Sequence, residues 1–295
     1  MAAVVTLNGS MYQRFYGLKE PPFELTSNLG CLLLTAGQRE ALSNLEYGLF
    51  TAKAVTVLLG EAGTGKTTLL WAAVKSERCR HVKCVVLQNP SLTRSEFVEV
   101  LARRFALGDH AAGSKAALLT SLELVLRERR ACGEVAALVV DEAQSLGPDL
   151  LEEIRLLANL ETTNEKLLPL VLAGQPELGI RLNDPELRSL KQRVSLRCEI
   201  APFTLQETAA YVAARVRTAG GEPTHLFSRE AVVAIHEHSR GIARTVNVIC
   251  DNALLSGFAL GRQPVDREIV LEVCRDFDLQ GSDMAAAGSA TRRNR

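Results

Sequence analysis

Short apolar, β-branched runs alternate along the chain with longer stretches in which apolar residues recur every three to four positions. The runs "AVTVLL" at 54–59, "CVVLQ" at 84–88, "AALVVD" at 136–141, "LPLVLA" at 168–173 and "LRCEI" at 196–200 read as strands. Helical spacing at 66–76, 95–106, 115–130, 148–160 and 185–192 fills the intervals. The alternation predicts βαβ units, and so an α/β layer with a five-stranded parallel sheet covered on both faces. After "APFT" at 201–204 the rhythm is helical throughout, at 205–219, 228–238, 242–260 and 266–277, each stretch opening near a Ser, a Thr or a Pro-containing turn. A small all-helical domain is therefore expected behind the sheet. The expected division is an N-terminal segment at 1–50 packed on the core, an α/β domain at 51–203, a helical domain at 204–278 and a flexible tail at 279–295, whose "GSDMAAAGSATRRNR" has little to bury.

Composition narrows the choice of partner only slightly. Thirty-four basic residues balance thirty-four acidic ones, so no global charge directs the chain to nucleic acid or anionic lipid. Local arginines in "LARRFA" and "LRERRA" read as solvated helix faces. Seven cysteines are scattered without a C-x-x-C pair, which suits reduced thiols in a cytosolic protein, and "CRHVKC" at 79–84 lacks the second ligand pair of a zinc site. No run of eighteen apolar residues occurs, and the opening "MAAVVTLNGS" has no basic region ahead of an apolar one, so a cytoplasmic protein without a membrane span is expected.

The chemistry concentrates in "GEAGTGKTT", Gly60, Glu61, Ala62, Gly63, Thr64, Gly65, Lys66, Thr67 and Thr68, which lies between the first strand and the first long helix. Glycines let the backbone wrap a polyphosphate so that amide N–H groups and the helix N-terminus meet its negative charge. Lys66 is placed to reach the β- and γ-phosphates of ATP, and the Thr67 hydroxyl to ligate Mg²⁺. About seventy-five residues on, "ALVVDEAQ" ends a strand in Asp141, a second Mg²⁺ ligand held through water, and Glu142, the candidate to polarise the attacking water. An acidic pair that simply caps a turn is the alternative.

The order of phosphate loop, intervening strand and acidic pair resembles that of the AAA+ ATPases, which add a strand between these motifs and carry a helical lid. The resemblance implies roles for further residues. Gln175 in "LVLAGQPEL" stands at the sensor 1 position, which in the family contacts the γ-phosphate or the water. Arg193 in "ELRSLKQRVSL", with Arg188 as the fallback, stands where relatives present an arginine to the neighbouring subunit, which implies a homo-oligomer. Arg244 in "SRGIARTVNV" stands at the sensor 2 arginine, with Ala243 in place of the usual proline.

The segment 11–49, "MYQRFYGLKEPPFELTSN" through "LLLTAGQREALSNLEYGL", is similar to the start of ATPases of the general secretion pathway protein A type, and with "GQPEL" and "KQRVSL" the resemblance runs over about 11–277. In such folds the segment before the first strand packs over the adenine, which makes Pro22, Phe23, Gln38 and Arg39 candidates for base contacts; a core role for Phe23 is equally open. Gln38 departs from the histidine common in relatives, and those ATPases continue into a membrane span and a peptidoglycan-binding region. Three functions stay open at this point: an ATPase driving a secretion or envelope-assembly machine, an ATP-dependent DNA-binding regulator of the transposition type, and a nucleotide switch with little turnover.

Overall fold

A computed structural model describes residues 10–24, 34–88 and 91–279. These form two compact units, one spanning 36–201 and the other combining the residues up to Thr35 with those from Pro202 onward. In chain order the first helices are α1 (Ser10–Tyr16) and α2 (Ala36–Phe50). The α/β unit continues through β1 (Val55–Gly60), α3 (Lys66–Val74), β2 (Val82–Leu87), α4 (Arg94–Arg104), α5 (Asp109–Ala112), α6 (Lys115–Ala131), β3 (Val135–Val140), α7 (Pro148–Leu157), β4 (Leu170–Gly174), α8 (Pro176–Arg181), α9 (Arg188–Lys191) and β5 (Val194–Ile200). The helical unit adds α10 (Leu205–Thr218), α11 (Pro223–Leu226), α12 (Arg229–Ser239), α13 (Ala243–Ala259) and α14 (Arg267–Asp276).

The five strands form one parallel sheet in the order β2-β3-β4-β1-β5. Every residue of β1, β3 and β4 is buried, as expected of parallel strands covered on both faces, while β2 and β5 at the edges are partly exposed. From β1 the chain crosses to the far edge, returns through β3 and β4, and then passes β1 to add β5 on its other side. That reversal opens a crevice at the carboxyl end of β1, the place where open α/β sheets bind ligands. Beneath it Phe97 and Leu101 of α4, Leu122 of α6 and Ile154 of α7 pack on Leu138, Val140 and Leu172 of the sheet.

Helix starts follow local rules that the sequence displays. Thr93 and Glu96 form a reciprocal capping box ahead of α4, and Thr204 and Glu207 form another ahead of α10. Ser114, Ser228 and Asp266 accept from the first turns of α6, α12 and α14. The stretch expected as one helix at 185–192 is a 3-10 turn at Pro185–Leu187 followed by α9, because Pro185 tightens the start into i→i+3 pairing.

The N-terminal segment departs from expectation. Of the 1–50 expected on the α/β core, only α2 belongs to that unit, whereas residues 10–24 belong to the helical one. Tyr12, Tyr16, Leu18 and Phe23 are buried with Val216, Ile249 and Val270. The Tyr12 hydroxyl donates to Asp251 Oδ1 at 2.9 Å, and the Arg215 guanidinium donates to the carbonyls of Pro22 at 2.6 Å and Glu24 at 2.9 Å. Four large apolar side chains in fifteen residues need a core, and the helical unit supplies it. The tail from residue 280, the extension at 1–9 and most of the "LTSN" to "LLL" stretch lie outside the described residues.

Among the described residues no helix is long and apolar enough to cross a membrane. Burial pushes the Cys84 thiol up to about 12 and Cys274 to about 11, so these sulfurs stay protonated and serve as small apolar groups.

Candidate functional site

The phosphate-loop motif occupies the turn from β1 into α3. Gly65, the residue capping α3, has φ +100°, a left-handed conformation that a β-carbon disfavours. At Gly60 the obstacle is space: a Cβ would lie 2.8 Å from Thr64 Oγ1 and 3.0 Å from the Ile200 carbonyl oxygen. Thr64, 2% exposed, closes the turn by donating to the Glu61 carbonyl at 2.8 Å. Glu61 and Ala62 are exposed at its crest and Thr68 is half-buried. Lys66 is 4% exposed, and its ammonium donates to the carbonyls of Gly60 at 2.9 Å and Glu61 at 3.0 Å. A cation thus sits inside the loop at the head of a helix, where dipole and charge together favour an anion.

The acidic pair meets this loop directly. Asp141 follows β3, is 4% exposed, and accepts from the Thr67 hydroxyl at 2.6 Å through Oδ2. Its other oxygen, Oδ1, accepts the backbone N–H of Glu142 at 2.9 Å. Glu142 itself holds φ +53°, unusual for a residue with a side chain and of the kind that persists where surroundings enforce it. A hydroxyl and a carboxylate are hard oxygen donors, which fits Mg²⁺.

Gln175 caps α8 at the end of β4 and is brought to the same edge of the sheet. Its backbone N–H donates to Gln144 Oε1 at 3.0 Å, and Gln144 Nε2 donates to Glu142 Oε2 at 2.5 Å. Sequence reasoning missed Gln144, although it stands in plain view as the last letter of "DEAQ"; it also missed α8, whose signal was Pro176 at a helix's first position. Gln38 of α2, 7% exposed, points its Nε2 at the Thr64 carbonyl across 3.5 Å, and Arg39 is exposed beside it.

Five other predicted residues fall outside the phosphate loop and the acidic pair in sequence. Phe23 is 1% exposed in the helical core, edge to face with Phe227 at 6.0 Å between centroids, so its ring is engaged in packing and the base contact is withdrawn. Pro22, buried beside it, is occupied through its carbonyl by Arg215. Arg193 precedes β5 and donates to the Ser189 carbonyl at 2.7 Å; Arg188 is exposed at the start of α9. Since Val194 pairs with Val55 and Ile200 with Gly60, Arg193 lies at the opposite end of the sheet from the phosphate loop. Six strand residues at ~3.3 Å each put roughly 20 Å between them. Arg244 is exposed on the first turn of α13, behind a turn in which Gly241 has φ +73°.

Residues 51–182 match the family model described as an AAA domain. Over 86% of its length the chain is 39% identical to general secretion pathway protein A of Aeromonas hydrophila. The segment 51–182 is an AAA domain. The chain spans about half the length of that curated relative, 46%. The AAA+ fold extends to solved structures of low sequence similarity. Cdc6p from Pyrobaculum aerophilum superposes with a TM-score of 0.67 at 20% identity, covering 86% of this chain and 70% of its own. The ORC2 protein of Aeropyrum pernix gives 0.65 at 17%, covering 88% and 71%, and the branch migration motor RuvB of Thermotoga maritima gives 0.52 at 18%, covering 81% and 69%.

Proposed function

We propose that this AAA-domain protein binds ATP with Mg²⁺ and hydrolyses its terminal phosphoanhydride bond, and that the turnover serves a cytoplasmic secretion or envelope-assembly machine. The observation that carries the reading is the 2.6 Å contact between Thr67 and Asp141. It joins the phosphate-loop helix to the acidic strand end from 74 residues away, the pair that holds Mg²⁺ in phosphate-loop ATPases.

In this reading the loop amides and Lys66 hold the β- and γ-phosphates, Thr67 and Asp141 hold Mg²⁺, and Gln175 contacts the terminal phosphate. Bound Mg²⁺ would supply neutralisation of charge across the phosphate oxygens. Glu142 takes a proton from a water as its oxygen bonds to the γ-phosphorus and the bond to the β–γ bridging oxygen breaks, giving ADP and inorganic phosphate. The machine served is supported by the identity to general secretion pathway protein A. Of the five arginines in "LARRFA" and "LRERRA", three pair with carboxylates, Arg103 with Glu99, Arg127 with Glu123 and Arg130 with Glu165, which lowers the net charge of those faces.

Lys66→Ala tests the loop. Losing a charge-assisted contact worth ~1.5–3 kcal/mol should weaken ATP binding by roughly 10–10² in calorimetry, and wild-type affinity in the variant would end the proposal. Arg193, placed at the far end of its own sheet, is proposed to serve a neighbouring copy's nucleotide. Mixing Arg193→Ala with Glu142→Gln subunits, each inactive alone, should restore part of the hydrolysis; mixed oligomers that stay silent would assign Arg193 to its own subunit's packing.

A further inference from the structure

Glu142 and Gln175 come from neighbouring strands, and one side chain stands between them. The amide of Gln144 donates to Glu142 Oε2 at 2.5 Å and accepts the Gln175 N–H at 3.0 Å. Its orientation is unambiguous, because a carboxylate only accepts and a backbone N–H only donates. The Gln144 carbonyl in turn accepts from Arg181 Nη1 at 2.7 Å. Helix α8 therefore grips Gln144 at both ends, through Gln175 before its first residue and Arg181 at its last. The strand is bare where the amide crosses it: a Cβ on Gly174 would lie 2.9 Å from Gln144 Oε1.

A purely architectural tie between α8 and the turn after β3 would be complete with two of these bonds, from Gln175 N–H and from Arg181. The third, to Glu142, adds nothing to that tie. It does fix one oxygen of a carboxylate whose backbone is already held at φ +53° and whose following turn is closed by Ser145, which donates to the Glu142 carbonyl from both its N–H at 2.9 Å and its hydroxyl at 2.8 Å. What remains adjustable in Glu142 is the direction of its side chain, and Gln144 sets it.

We infer that Gln144 is a positioning residue: it aims the Glu142 carboxylate and couples that aim to the Gln175 position at the end of β4. The inference rests on the hydrolytic reading above and names how that site is regulated. A displacement of α8 as Gln175 meets a terminal phosphate is carried by the amide to Glu142, so the base is aligned when the phosphate is present.

The test is a cycle of variants in the full chain. Gln144→Met keeps the length and removes both amide contacts; Gln144→Glu keeps the acceptor for Gln175 and replaces the donor facing Glu142 by an oxygen. Each should bind ATP within about twofold of wild type and lose roughly 10–10² in kcat, the scale of a misplaced catalytic group. In the Glu142→Gln background, single-turnover release of labelled phosphate should show no further loss from Gln144→Met, since a residue acting through Glu142 has nothing left to act on. Full kcat in both single variants, or a loss that adds to that of Glu142→Gln, overturns the inference while leaving the hydrolytic reading in place. Wild-type turnover in Glu142→Gln alone would instead remove the assigned base, and this inference with it. Should Gln144→Met fold poorly, Gln144→Leu removes the same two amide contacts without placing a second carboxylate beside Glu142.

Discussion

Replacing Glu142 by Gln is expected to leave ATP affinity unchanged and to slow hydrolysis by roughly 10³-fold, within the ~10²–10⁴ that a positioned base contributes. That is about 4 kcal/mol of barrier. The two effects separate for a physical reason. Glutamine matches glutamate in shape, so φ +53° at this position, the Glu142 N–H bond to Asp141 and the turn closed by Ser145 all survive the change. Phosphate is held by other groups, the loop amides and Lys66. What disappears is an anion able to take a proton. One new frustration enters, because an amide at 142 can turn either oxygen or nitrogen toward Gln144 Nε2. If its oxygen faces Gln144 the bond persists and binding is untouched. Parallel measurement of ATP affinity by calorimetry and of phosphate release under saturating ATP distinguishes the outcomes, and undiminished release would strip Glu142 of its role.

Replacing Gly241 by Val should cost the helical unit roughly 3–5 kcal/mol. Two penalties combine there. The residue sits at φ +73°, where a side chain costs ~1–2 kcal/mol and a β-branched one most. A Cβ would also lie 2.0 Å from the carbonyl oxygen of Phe203 and 2.8 Å from its nitrogen, backbone atoms that cannot rotate away. Overpacking of that kind adds ~1–3 kcal/mol. The contact is itself a bond: Phe203 N–H donates to the Gly241 carbonyl at 2.8 Å, so relieving the overlap breaks it. Because this turn launches α13, the lesion should also displace Arg244. Chemical denaturation followed by the tertiary signal of the helical unit checks the stability; a midpoint equal to wild type would mean that the turn relaxes freely.

The sheet was legible because its three central strands are apolar runs of five or six residues interrupted only by Thr56, the pattern expected of burial on both faces. The long helices were legible from their spacing and their caps. The phosphate loop and the acidic pair could be read for a different reason, since their chemistry dictates residue type and spacing within a short window. Contacts that depend on the strand order could not be read that way. Thr67 and Asp141 are 74 residues apart and meet because β1 and β3, with β4 between them, end at the same edge of the parallel sheet. Gln144 escaped notice because a glutamine at a turn has no meaning until Gln175 and Arg181 are seen to reach it. Phe23 was open in sequence between a base contact and the core, and it is buried in the core of the helical unit. The assignment of residues 10–24 to the helical unit was likewise invisible, because an apolar face does not state which of two cores it joins.

The registry of β5 against β1 gives the α/β unit a direction. One pole carries the phosphate loop and the other carries Arg193. Under the proposed role of Arg193 the two ends meet a neighbouring copy differently: copies either lie antiparallel across a two-fold axis, each giving its arginine to the other, or follow one another head to tail. The head-to-tail arrangement closes into a ring when the rotation between neighbours divides a full circle and otherwise winds into an open helix. In either arrangement the proposed role of Arg193 would make every nucleotide common to two subunits, so that the emptying of one site would alter the footing of the next.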